Sequence, residues 1–94
     1  MQSAQAIALD FYDAVISDNG VEVQKILNNG FDIPVRTITG MLVIAVEHRL
    51  LESIRAILVY NSYTSNKIID KHLDVILCYA AKSNLLKELG VTYH

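Results

Sequence analysis

FYDAVISDNGVEVQKILNNG (residues 11–30) and LVIAVEHRLLESIRAILVYN (residues 42–61) carry the same apolar columns 31 residues apart. Phe11 falls on Leu42, Ala14 on Ala45 and Val15 on Val46. Further along, Val23 falls on Ile54, Ile26 on Ile57 and Leu27 on Leu58. Gly30 falls on Asn61, and both residue types tolerate the positive φ that follows a helix. Apolar positions three and four apart share one face of a helix. Each stretch therefore reads as two short amphipathic helices joined by a tight turn. One such pair cannot hide its apolar face alone, so neighbours must stack, and about three units make a stable array.

Reading outward from these stretches gives the remaining elements. Ile7, Phe11, Ala14 and Val15 predict a first helix, opened by Ser3 or Gln2 and stopped at Asp18-Asn19-Gly20. A second helix carries Val23, Ile26 and Leu27 and ends at Asn28-Asn29-Gly30, with Gly30 in the left-handed position. Pro34 and Gly40 mark Phe31–Gly40 as a loop. A third helix is expected over about Met41–His48, and a fourth over Leu51–Tyr60 with Leu58 in the core. The polar link Asn61–Asn66 precedes a fifth helix, Lys67–Lys82, and a last one, Leu85–Leu89, closed by Gly90. A third copy of the repeat is degenerate. A 31-residue step places Leu73, Leu77, Leu85 and Leu89 on apolar columns but sets Ile76 where Ala45 stood. A 35-residue step sets Leu77, Ala80 and Ala81 on Leu42, Ala45 and Val46, and is preferred because small residues let neighbouring helices approach. The expectation is an all-α chain of about six helices. It forms a short solenoid of antiparallel helix pairs in one domain, with units of about 4–30, 31–61 and 62–94.

Composition sets the outer bounds. The chain has 94 residues, 52% apolar and 7% aromatic, which excludes a disordered, highly charged segment. Its single cysteine excludes a disulfide scaffold. No apolar run approaches the roughly 18 residues of a membrane span, and Met1–Leu9 lacks the basic start of a signal peptide. A soluble, cytoplasmic protein is expected. Net charge is −2, unsuited to nonspecific binding of a phosphate backbone. It divides unevenly, because residues 1–47 hold six acids against two bases and residues 48–94 hold six bases against four acids.

The pairing of helices resembles an ankyrin-repeat protein. Ala14-Val15-Ile16-Ser17-Asp18-Asn19, leading through Val23 and Ile26-Leu27 to Asn28-Asn29-Gly30-Phe31-Asp32-Ile33, looks like the second half of such a repeat. Ala45-Val46-Glu47-His48-Arg49-Leu50-Leu51-Glu52-Ser53-Ile54-Arg55-Ala56-Ile57-Leu58 is similar to the AVExGHLEVVRLLL form. No TPLH motif survives, since Gly40-Met41-Leu42-Val43 stands in its place, and Arg49-Leu50 replaces the GH turn. The resemblance implies a noncatalytic protein-binding module, an adaptor or inhibitor using its hairpin-loop tips and inner helices. By position it singles out Arg36, Thr37, Ile38 and Thr39 in the first loop and Tyr63 in the second. On the inner helices it singles out Asp13, Ser17, Ile44 and His48. Arg and Tyr concentrate interface energy, so Arg36 and Tyr63 stand first, against a solvated Arg36 and a Tyr63 packed over its loop.

Residues with catalytic or ligating chemistry are scattered. His48, His72 and His94 lie 24 and 22 residues apart, whereas zinc ligands come in tight pairs. His48 with Glu52, and His72 with Asp70 or Asp74, are the nearest combinations. Cys78 sits in an apolar helix and reads as a small buried hydrophobe. The four glycines, Gly20, Gly30, Gly40 and Gly90, punctuate helices and form no phosphate loop. Asp10 and Asp13 read as a helix surface. No catalytic residue, metal or cofactor is expected. Two alternatives to a protein partner remain. Self-association would use the apolar C-terminal end, Leu85, Leu86, Leu89 and Val91, or the acidic half against the basic half. Nucleic acid would use Lys67, Lys71, Lys82 and Lys87, although Asp70, Asp74 and Glu88 lie among them.

Overall fold

Three backbone corners organise the chain. Asp18, Arg49 and Asn84 adopt left-handed φ values of 54°, 55° and 60°. Each follows a long helix and turns the chain back along it. In the first two corners the left-handed residue donates its N–H three residues back, from Asp18 to Val15 and from Arg49 to Val46. The next residue donates five back, from Asn19 to Ala14 (3.0 Å) and from Leu50 to Ala45 (2.8 Å). This is the Schellman pattern, which satisfies the last carbonyls of a helix. The corners lie 31 and then 35 residues apart, so the third follows the longer step. Ala14, Ala45 and Ala80 occupy the same place before each corner and are all buried.

The structure is a computed structural model and describes residues 4–29, 33–65 and 67–90. Six helices account for most of it: α1 (Ala4–Ile16), α2 (Gly20–Asn28), α3 (Val35–Glu47), α4 (Leu51–Tyr63), α5 (Asp70–Lys82) and α6 (Leu85–Leu89). The chain is all-α among these residues. Helices α1 and α2, α3 and α4, and α5 and α6 pack as pairs. Between pairs, α1 touches α3 and α3 touches α5, while α2 touches α4 and α4 touches α6. The contacts thus define one row of α1, α3 and α5 and a second of α2, α4 and α6. One apolar core runs between the rows, with Phe11, Leu42, Ile54, Ile57 and Leu85 its largest fully buried side chains. The radius of gyration, 12.6 Å, matches the roughly 12 Å of a compact domain this long.

Several expectations are corrected. Arg36, Thr37, Ile38 and Thr39 are not loop residues, because α3 begins at Val35. Proline stands immediately before that helix as its N-cap, where no backbone N–H is required of it. Gly40 is carried inside α3 at a cost of about 1 kcal/mol relative to alanine. Ile38 belongs to the core at 2% exposure. Tyr63 is the last residue of α4. Asn61 and Ser62 are helical too, and the Asn61 carboxamide oxygen accepts the Ile68 N–H at 2.8 Å. The fifth helix starts at Asp70, behind Ile69. Leu58 is only partly buried, and Ile57 beside it is fully buried. Leu85, Leu86 and Leu89 are buried rather than an open apolar end. Cys78 is exposed, because the buried flank of α5 holds Ile76 and Ala80 on the other side of the helix. Gln2, Ser3, Gly30, Phe31, Asp32, Asn66, Val91 and His94 lie outside the described residues.

Close approach of the second row fixes one glycine. A Cβ on Gly20 would sit 2.8 Å from the backbone oxygen of Glu52. Contact between α2 and α4 is the most extensive in the molecule, and only glycine at the start of α2 leaves room for it.

Candidate functional site

Each helix of the α1–α3–α5 row has two apolar flanks, and only one is needed for the core. Successive residues on a helix advance by about 100°. On α1, Phe11, Ala14 and Val15 point inward and are buried, while Leu9, Tyr12 and Ile16 form a second stripe at 58%, 42% and 42% exposure. On α5, Ile76 and Ala80 are buried, while Val75 and Tyr79 stand out at 66% and 53%. Nine large apolar or aromatic side chains are exposed among the described residues. Six belong to this row or its entrance (Leu9, Tyr12, Ile16, Ile69, Val75, Tyr79), which makes the exposed side of the row, the inner face, the apolar face among the described residues.

Between α3 and α5 that surface is creased by two cavities set end to end. The larger, about 440 Å³, lies at the N-terminal ends of both helices, lined by Val35, Arg36, Thr39, Gly40, Ile69 and His72. The second, about 190 Å³, continues toward the corners, lined by Val43, Val46, Glu47, Val75, Ile76 and Tyr79. Together they make one groove about three helical turns long, apolar along its floor and charged at its ends. Gly40 opens it, since a Cβ there would meet nothing within 4 Å. Arg36 and His72 mark one end and Glu47 the other. The Thr39 hydroxyl donates to the Val35 carbonyl at 2.8 Å, which leaves its methyl for the groove.

The residues singled out from the sequence divide over three places. Arg36 and Thr39 line the groove. Asp13 and Ser17 are exposed on α1 and at its end, beside the Leu9–Tyr12–Ile16 stripe. Thr37 and Ile44 lie on the other flank of α3, roughly 110° round the helix from Val43. His48 is exposed at the α3–α4 corner, where it caps α3 and does not share a helix with Glu52. Ile38 is in the core. Tyr63 belongs to the second row: its hydroxyl donates to the Asn28 carboxamide oxygen, and its ring meets Tyr60 edge-on at 5.7 Å. The Tyr63–Asn28 hydrogen bond ties α4 to α2.

Only Arg36 and Thr39 of the groove are binding candidates by sequence; Gly40 and His72 read there as a break and a metal candidate, and Val43, Val75 and Tyr79 are not binding candidates. A second stripe at helical spacing, Leu9–Tyr12–Ile16, was the available signal for an apolar inner surface. A helix that starts only at Met41 leaves out the wall of Val35, Arg36 and Thr39 that faces α5. Lys71 and Lys82 share the exposed face of α5, while Lys67 precedes that helix and Lys87 lies on α6. Among the described residues no group of three or more His, Cys, Asp or Glu could hold a metal ion, and no helix is long and apolar enough to cross a membrane. No protein-family pattern, curated protein or solved structure matches the chain.

Proposed function

We propose that this chain is a noncatalytic protein-binding module, an adaptor or inhibitor of the cytoplasm, built as a short ankyrin-like array of three helix pairs. The α3–α5 groove carries this reading. A cleft with an apolar floor and charged ends suits a protein segment that buries side chains and is oriented by its polar groups. Interfaces depend on a few anchors that fill pockets, and the hollow over Gly40 beside Arg36 is shaped to receive one. Arg36 and Thr39 remain binding residues as groove walls instead of loop tips. Corners repeated at 31 and 35 residues support the array.

Photo-crosslinking tests the assignment. A crosslinking residue replaces Val43 in the groove or Val59 on the second row, and each variant is exposed to lysate of the source cell. The expected result is a discrete adduct with a different protein at position 43 and none at 59. Equal labelling at both positions, or no adduct at 43, would contradict it.

A further inference from the structure

We propose that a second copy of this chain docks on the same face, the exposed stripe of α1 in each copy seating in the α3–α5 groove of the other. The inference rests on the inner face being a docking surface and adds a second copy as its occupant when the protein partner is absent.

Register carries the fit. The three corners end α1, α3 and α5 at equivalent positions. Counting back from them aligns Leu9 with Gly40 and Val75, Tyr12 with Val43 and Cys78, Asp13 with Ile44 and Tyr79, and Ile16 with Glu47 and Lys82. A two-fold axis parallel to these helices leaves heights unchanged. It therefore sets Leu9 of one copy over the hollow at Gly40 and Val75 of the other, and Tyr12 over Val43. The stripe spans the same heights as Gly40, Val43 and Glu47 of the groove, which stand at the same distances before their own corner. Such a dimer is closed, with the same contact made twice.

Charge points the same way. Helix α1 has two acids and no base, while the two groove helices carry Arg36, Lys71 and Lys82 against Glu47, Asp70 and Asp74, with the two lysines on the exposed Val75 flank of α5 and the two aspartates turned about 100° or more from it. The two ion pairs described, Arg49–Glu88 and Glu52–Arg55, lie on the corners and the second row. Asp13, Arg36, Lys71 and Lys82 take part in neither. Asp13 of one copy comes within one helical turn of Lys82 of the other, and Glu47 lies at the height of Ile16 beside that lysine. An exposed apolar stripe of this kind on a monomer ordinarily marks an interaction surface.

Sedimentation equilibrium of the full chain, from about 10 µM to 1 mM, tests the proposal. Wild type is expected to show a monomer–dimer equilibrium. Tyr12→Asp and Val75→Asp should each weaken it at least about tenfold, and Val59→Asp should leave it unchanged. Asp13→Lys should weaken it by about fivefold, and adding Lys82→Glu in the same chain should restore it. Those two residues lie on opposite edges of one molecule, so only contact between copies can couple them. All these positions are exposed, and far-UV circular dichroism confirms that each variant folds. A wild type that stays monomeric to 1 mM overturns the proposal. So does a dimer that ignores Tyr12→Asp and Val75→Asp, or one that Val59→Asp weakens equally. A monomer would leave the crosslinking result at position 43 untouched, so the two readings fail separately.

Discussion

The Asp18 carboxylate accepts the backbone N–H of Ser53 at 2.9 Å, so the corner of the first helix pair caps the second pair's α4. Leu50, the N-cap of α4, has no side chain able to do this, and the first amides of a helix need an acceptor from elsewhere. Ser53 completes the joint by donating its fully buried hydroxyl to the Val15 carbonyl at 3.0 Å. The next joint repeats the geometry with different chemistry. Arg49, at the second corner, pairs with Glu88 and donates to the Ser83 carbonyl at 3.0 Å. Ser53 and Glu88 each stand four residues beyond the following corner.

Replacing Asp18 separates its two duties, the cap and the left-handed backbone. Asp18→Asn keeps an acceptor and a residue that tolerates φ of 54°, and should change stability by less than about 0.5 kcal/mol. Asp18→Ala loses the cap and strains the corner, costing about 2 kcal/mol. Urea midpoints of the two variants, converted with a common slope, check the difference.

Two glycines respond in opposite directions to the same methyl group. Gly20→Ala must push against the Glu52 backbone oxygen and should destabilise by about 1–3 kcal/mol. Gly40→Ala meets open space and gains helix propensity, stabilising by about 0.5–1 kcal/mol. Thermal melts of the pair should move to opposite sides of wild type.

Neighbouring residues in α4 differ in how deeply they are set. Ile57 is fully buried, so Ile57→Ala should cost about 2–5 kcal/mol, a large share of the roughly 5–15 kcal/mol margin such a domain has. Leu58 is partly buried against the core, and Leu58→Ala should cost clearly less. Equal losses in chemical denaturation would move the helix out of its register.

Arg49 holds an unfavourable backbone angle, with φ of 55°, together with an ion pair whose side chains are 44% and 48% exposed. Arg49→Gly removes both, together with the exposed hydrogen bond to the Ser83 carbonyl. Relief of about 1 kcal/mol opposes an exposed pair contributing about 0.2–1 kcal/mol, so stability at low salt should scarcely change. At about 1 M salt the pair is screened, and the variant should become the more stable of the two. A salt titration of both melting temperatures reads the crossover.

Much of this architecture was legible because it depends on columns. Phe11–Ala14–Val15 against Leu42–Ala45–Val46 specified the helices, their pairing and the 31-residue step. What escaped depended on contact between units. Pro34 reads equally as a loop residue or as the entrance to a helix, and only the burial of Ile38 against the core decides for the helix. Gly40 looks like a break until α3 is seen to run through it. Arg49 offers no local hint of a left-handed corner, because its angle is imposed by the helices on either side. The groove escaped for the same reason: Val43 and Val75 are ordinary apolar residues until α3 and α5 are set side by side. Tyr63 reads as a loop residue if α4 stops at Tyr60, and only the contact of its hydroxyl with Asn28 of α2 shows the helix carrying it on.

Cys78 gives the most direct test that the α1–α3–α5 row presents an open face, because its exposure depends on how α5 is rotated about its axis. The measurement is the rate of thiol modification by a soluble aromatic disulfide in native protein at low micromolar concentration, where copies are apart. The rate is expected within about tenfold of that for the urea-unfolded chain, as an exposed thiol needs no unfolding to be reached. Modification that waits for global unfolding would place Cys78 in the core and contradict the inner face.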